Sequence, residues 1–166
     1  MNKRLAVAFT GPSNSGKTTL IIKVADALIK SGKKVSIIKN DPKDKAVFDT
    51  PGKDSYKFCK TGAEVVVTSP NKTTLLSPVH KELDDIINMF CEFDFLLVEG
   101  LKNLPLPRIS IFRNKIDEAY FPYMNALAID HTINPKNENI PKSVDVLDLN
   151  NEEQIINWIL NNAKEV

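Results

Sequence analysis

Residues 11–18 read GPSNSGKT, a G-x-x-x-x-G-K-[ST] pattern between an apolar run, Leu5 to Phe9, and an amphipathic run beginning Thr19-Leu-Ile-Ile. Residue types at this spacing bind phosphate. Gly11 and Gly16 permit backbone conformations and close approaches that a side chain would block. The peptide N–H groups of the loop then turn toward an anion, and the following helix adds its positive end. The candidate nucleotide-binding set is Gly11, Pro12, Ser13, Asn14, Ser15, Gly16, Lys17, Thr18 and Thr19. Lys17 is expected to reach the β- and γ-phosphates, and the Thr18 hydroxyl to ligate Mg²⁺.

Two carboxylates are candidates to complete the chemistry. The run Phe93–Val98, FDFLLV, ends in Glu99-Gly100. An apolar strand tipped by an acid is the Walker-B arrangement, in which the acid sits beside the phosphate loop and holds magnesium. Glu is longer than the usual Asp, which favours holding the metal through water. The segment Asn40 to Gly52, NDPKDKAVFDTPG, follows the strand-like run KVSIIK at 34–39. Ligands bind past the carboxyl ends of parallel strands. Asp41, nearest the strand end, is therefore the first choice for magnesium or for the attacking water, ahead of Asp44 and Asp49. The expected catalytic set is Lys17, Asp41 and Glu99, and the expected metal set is Thr18, Asp41 and Glu99.

Two further acids follow late strands. Asn114-Lys-Ile-Asp117 has the N-K-x-D form with which many GTPases read guanine, and Asp130 directly follows Ala126–Ile129. Guanine offers two donors, N1–H and the exocyclic amine, and one carboxylate accepts both. Asp130 is favoured because it ends a strand. Arg108 and Arg113 flank the strand at 109–112, which makes them candidates for an arginine finger.

The elements that would position these residues follow from periodicity. Arg4–Thr10 reads as a strand buried on both faces. The helix after the loop carries Leu20, Val24 and Leu28 at four-residue spacing, with Gly32 as its stop. With the strand at 34–39, this forms a right-handed βαβ unit. Lys53–Thr61 is a short helix. Glu64–Thr68 and Thr73–Leu76 are two β-rich runs too close for a parallel return, so they form an antiparallel hairpin near 64–76. Helical spacing extends over Pro78–Cys91, and His80 on it has no partner chemistry of its own. A last strand at 144–147 precedes a terminal helix, which Asn150 and Glu153 open as a capping box. The expected fold is α/β: a mostly parallel twisted sheet flanked by helices, forming one nucleotide-binding domain over residues 1–166.

Composition sets the limits. The chain has 166 residues, 42% hydrophobic and 26% charged, with a net charge of +1. That balance gives no reason to expect a nucleic acid or an anionic membrane as partner. Cys59 and Cys91 form no C-x-x-C pair, and with His80 and His131 they make no zinc site of usual spacing. They read as reduced thiols of a cytoplasmic protein. The N-terminal apolar run ends in the phosphate loop, so it reads as a first strand and not as a signal peptide. No segment has the roughly 18 consecutive apolar residues that would mark a membrane span.

Taken together, these stretches resemble the molybdopterin-guanine dinucleotide biosynthesis protein B (MobB) family. The likeness covers nearly the whole length. It rests on the loop at 11–18, Ile37-Ile-Lys-Asn-Asp41, Asp49-Thr-Pro-Gly-Lys-Asp-Ser55, Thr68-Ser-Pro-Asn-Lys72, Val98-Glu-Gly-Leu-Lys102 and Pro105-Leu-Pro-Arg-Ile-Ser-Ile-Phe-Arg113. The family's strand-end segment commonly reads Lys-His-(His/Asp). Here it is Lys39-Asn40-Asp41, so any role of that histidine is lost or replaced. The resemblance implies a P-loop NTPase that binds GTP with Mg²⁺, hydrolyses it slowly and forms a homodimer. It implies an accessory role in molybdenum cofactor biosynthesis beside the molybdopterin guanylyltransferase, with molybdopterin or molybdoenzymes as further candidate partners. It gives the NKID run no support. The alternative is an NTP-dependent small-molecule kinase or ligase on the same scaffold, with the 40–55 loop holding an acceptor. If loop 11–18 is the phosphate site, Lys17→Ala abolishes most triphosphate affinity in a calorimetric titration and leaves the melting temperature near the parent's.

Overall fold

The first strand, β1 (Leu5–Thr10), is buried along almost its whole length, so it needs hydrogen-bonding neighbours on both edges. A computed structural model describing residues 3–166 supplies them. The chain divides into two compact units, one formed by residues up to Asn40 together with Glu92–Val166, the other by Asp41–Cys91.

In the first unit the elements are β1, α1 (Lys17–Lys30), β2 (Val35–Lys39), β5 (Phe95–Glu99), β6 (Arg108–Phe112), β7 (Ala126–Ile129), β8 (Asp145–Asp148), α4 (Glu152–Asn162) and β9 (Lys164–Glu165). The sheet order is β2-β5-β1-β6-β7-β8, all parallel. The register of β6 on β1 covers only Ala8–Thr10. Leu5 and Ala6 keep a free edge, and β9 takes it in antiparallel pairing. That short closing strand was not expected from the sequence, because two residues carry no periodicity.

Side chains alternate across this sheet, as the period of two requires. Val7, Phe9, Leu97, Ile109, Ile111, Ala126 and Ala128 form one core with Leu20, Ile21, Val24 and Leu28 of α1 and with Ile155, Trp158 and Ile159 of α4. On the opposite face Phe112, Leu127 and Ile129 pack with Ile116, Met124, Ile133 and Val144. Helix α1 ends in a Schellman turn, with Gly32 at φ 83°, its N–H on Ile29 O and the Lys33 N–H on Leu28 O. Helix α4 starts one residue later than the expected capping box. The Asn150 N–H is already held by Asp148 Oδ1, so Asn151 takes the cap and accepts from the Gln154 N–H at 3.0 Å.

The second unit holds α2 (Asp54–Cys59), β3 (Val65–Ser69), β4 (Lys72–Leu76) and α3 (Leu83–Met89). The expected hairpin is present: Val65 pairs with Leu76 and Ser69 with Lys72, leaving Pro70-Asn71 as the turn. Helix α3 is shorter than the spacing over Pro78–Cys91 suggests. The Ser77 hydroxyl donates to Glu64 and accepts from the Val79 N–H, and Lys81 pairs with Glu64 at 2.7 Å. These bonds hold 77–82 out of the helix, and Glu82 enters it in an extended conformation. His80 lies in this non-helical stretch, with Nε2 3.7 Å from Glu82 Oε1. Among the described residues no helix is long and apolar enough to cross a membrane.

Trp158 joins α4 to the sheet edge, its indole N–H donating to Asp145 Oδ2 at 2.8 Å and its ring buried in the core. Trp158→Ala should cost about 3–5 kcal/mol, read as a lower urea midpoint with an unchanged far-ultraviolet spectrum in the native baseline.

Candidate nucleotide-binding site

The loop leaves β1 at Gly11, whose φ is 139°. A Cβ there would lie 2.4 Å from the Ile111 carbonyl oxygen and 3.1 Å from Ser15 Oγ, so no other residue fits without moving the β6 backbone. Asn14 takes a left-handed φ of 62°, and Gly16 one of 97°. Gly16 is the N-cap of α1; it offers no side-chain cap, and the first turn contains no acid. The first N–H groups of α1 thus keep their positive end open toward the loop. Ser15 is buried, and its hydroxyl has no hydrogen-bond partner among the described residues. An orphaned hydroxyl and an uncapped helix start in a glycine-framed loop fit a phosphate group.

Lys17 folds back onto this loop. Its ammonium donates to the Gly11 carbonyl at 2.9 Å and the Pro12 carbonyl at 2.6 Å. Partial burial lowers its pKa; Glu99 raises it, and Lys39 lowers it further. Glu99 stands at the carboxyl end of β5, in register with Phe9 of β1 and Lys39 of β2. Its carboxylate is mostly buried and pairs with the Lys39 ammonium at 2.8 Å. The strand-end acid expected from the sequence is therefore next to the phosphate loop, in the field of two lysines. With the Thr18 hydroxyl on the first turn of α1, Glu99 is a candidate oxygen donor for a hard cation such as Mg²⁺; among the described residues no group of three or more His, Cys, Asp or Glu side chains is placed to hold one.

The other chosen residues have different surroundings. Asp41 belongs to the second unit, where Oδ2 accepts from the Lys45 N–H at 2.7 Å and the Ala46 N–H at 2.6 Å and so turns the 41–46 loop. Asp49 accepts from the Ser55 hydroxyl at 2.9 Å. Asp117 of the NKID run caps the short 3-10 helix at Glu118–Tyr123, accepting from the Ala119 N–H at 3.0 Å. Asp130 is buried at the end of β7. It accepts from the Thr132 N–H at 3.0 Å and from the Thr132 hydroxyl, and Oδ2 lies 3.4 Å from Arg113 Nε. Arg108 is buried, and its guanidinium donates to the carbonyls of Gly100, Leu101 and Leu104. It shapes the loop that follows Glu99 and points away from an arginine-finger role. Sequence reasoning missed that task because a buried arginine at a strand start reads like any flanking charge.

Comparison with known families then decides the kinship. The family model described as molybdopterin guanine dinucleotide synthesis protein B (MobB) matches residues 6–130. The chain belongs to the MobB family. The molybdopterin-guanine dinucleotide biosynthesis adapter protein of Escherichia coli K12 is 32% identical over 165 residues, covering 93% of this chain and 90% of that protein. A crystal structure of molybdopterin-guanine biosynthesis protein B superposes with a TM-score of 0.71 at 25% identity, covering 95% of this chain and 99% of the other. The crystal structure of Bacillus subtilis MobB gives a TM-score of 0.75 at 22% identity, covering 96% and 98%. The MobB match spans the phosphate loop, Glu99, Arg113 and Asp130. The fold is that of a P-loop NTPase, as the loop and its flanking elements led one to expect, and the family places the chain in molybdopterin guanine dinucleotide biosynthesis.

The Thr132 hydroxyl, first, then the Thr132 N–H and the Arg113 charge hold the Asp130 carboxyl below its ordinary range, against the opposing effect of burial. A depressed folded pKa contributes stability above the unfolded value, about 3.9 for Asp. That contribution is lost as pH falls through the lower folded value. Melting curves recorded from pH 6 down to pH 2 should therefore fall more steeply for the parent than for Asp130→Asn below about pH 4.

Proposed function

We propose that this protein binds GTP with Mg²⁺ in loop 11–18, hydrolyses it slowly, and serves as a homodimeric cytoplasmic adapter to the molybdopterin guanylyltransferase. The observation that carries the reading is the uncapped, acid-free start of α1 at Gly16, with Lys17 on the loop and Glu99 at the adjacent strand end. Peptide N–H groups and the helix end meet the phosphate chain, and Lys17 exchanges its two loop carbonyls for phosphate oxygens. The Thr18 hydroxyl and Glu99 would hold Mg²⁺, which would supply neutralisation of charge on the phosphates. Lys39 orients the Glu99 carboxylate through their ion pair. Slow turnover is supported by the ion pair that engages Glu99 with Lys39 and not with a water. Guanine is supported by the family's description, since its product carries a guanine nucleotide, and the adapter role by the names of the curated relatives.

The test is calorimetric titration with GTP, ATP and their diphosphates, with and without Mg²⁺, alongside phosphate release. GTP should bind more tightly with Mg²⁺ than without, and at least tenfold more tightly than ATP, a difference of about 1.4 kcal/mol. Phosphate release should be slow and independent of any acceptor. Absence of binding by every nucleotide defeats the proposal. Rapid turnover that requires an added small-molecule acceptor indicates a kinase or ligase instead.

A further inference from the structure

The end of β6 carries a charged assembly for which the phosphate loop and the metal-holding groups have no use. Arg113 follows the last residue of β6, and its guanidinium lies against Gly16. A Cβ built on Gly16 would sit 3.5 Å from Nη2 and 3.6 Å from Cζ and Nε. The Arg113 Nε faces Asp130 Oδ2 at 3.4 Å. Thr132 holds the second oxygen of Asp130 with both its N–H and its hydroxyl. The Thr132 hydroxyl oxygen also accepts from the Asn114 N–H at 2.8 Å. Asn114 has a left-handed φ of 65°, so the chain turns sharply just after Arg113, and this bond pins the turn. The base of the arginine and its guanidinium are thus both tied to the segment 130–132.

This arrangement leaves Asp130 little capacity to read a base. One oxygen already accepts two donors and the other faces a guanidinium. Asp117, the other candidate, is engaged as a cap. The charge pattern points elsewhere. The start of α1, Lys17 and Arg113 bring three positive features to one loop, and the Glu99 carboxylate is paired with Lys39. Convergent positive charge, offset only in part by Asp130 beside Arg113 and Glu99 near Lys17, favours an anion between its members. The Arg113 side chain is 44% exposed, and no hydrogen bond among the described residues engages its Nη groups. Those groups form the fork that fits two phosphate oxygens.

We propose that Arg113 contacts the phosphate chain of the bound nucleotide and that Asp130, fixed by Thr132, is the positioning residue that holds it over Gly16. The inference rests on the reading that loop 11–18 binds a nucleoside triphosphate. It assigns to the β6 and β7 ends a part in phosphate affinity instead of base choice.

The experiment is calorimetric titration of the full chain and of Arg113→Gln, Arg113→Lys, Asp130→Asn and the double variant R113Q/D130N, with GTP and ATP at low and high salt. Arg113→Gln should weaken GTP and ATP by the same factor, about tenfold, the scale of one charge-assisted hydrogen bond. It should also flatten the salt dependence and leave the native far-ultraviolet spectrum unchanged. Arg113→Lys should recover part of the loss. Asp130→Asn should weaken both nucleotides in parallel, and the double variant should bind no more weakly than Arg113→Gln, because Asp130 acts through Arg113. Two results overturn the inference: an Arg113→Gln variant that binds GTP like the parent, or an Asp130→Asn variant that changes the ratio of GTP to ATP affinity. Should Asp130→Asn lower the melting temperature, the half-exposed Arg113 variants decide alone. A parent chain that binds neither nucleotide defeats the underlying reading as well, and that failure is recognisable because it precedes any substitution.

Discussion

The whole candidate nucleotide-binding site depends on one close approach. The chain leaves the buried strand β1 at Gly11 and passes the β6 backbone with no room for a Cβ, which would meet the Ile111 carbonyl oxygen at 2.4 Å. Because the loop can pass there, it turns inward and delivers Gly16 to the start of α1. Because β1 is central, the strands on either side bring their own ends to the same place. Glu99 arrives on β5 and Arg113 on β6. A parallel sheet with central β1 thus gathers an acid and a base around one loop from positions about a hundred residues downstream.

The electrostatics follow from that gathering. Glu99 raises and Lys39 lowers the proton affinity of the partly buried Lys17, and burial is the largest effect. The Glu99–Lys39 pair links β5 to β2, and the Arg113–Asp130 pair links the ends of β6 and β7. Both pairs bridge neighbouring strands at their carboxyl ends, where open parallel sheets generally bind ligands. Arg108 does comparable work for the backbone. It satisfies three loop carbonyls after β5 and so fixes how the chain departs from Glu99. Removing water from a guanidinium lowers its pKa, yet three acceptors keep it paired.

Local rules served well where they were sufficient. The hairpin was legible because a short gap between β-rich runs excludes a parallel return. The start and stop of α1 were legible from Gly16 and Gly32. They served poorly where side chains compete for backbone groups. Ser77 and Glu64 unwound the start expected for α3, and Asp148 displaced the α4 cap from Asn150 to Asn151. The strand β9 was invisible, since it exists only because β6 leaves Leu5 and Ala6 unpaired.

The amino-acid sequence by itself determined the glycine-framed loop after β1, the acid-tipped strand, the α/β class and the family. Each rests on residue types at fixed local spacing, and local spacing survives without knowledge of the fold. Only the tertiary structure decided what the later charged residues do. Arg108, Arg113, Asp117 and Asp130 look alike in the sequence, as charges beside short strands. Folding gives them four different partners: loop carbonyls, Gly16 of the phosphate loop, a helix start and a threonine two residues on. The role of a charge depends on which neighbours desolvate and pair with it, and Arg113 meets Gly16 and Asp130 only because β6 lies between β1 and β7 in the sheet.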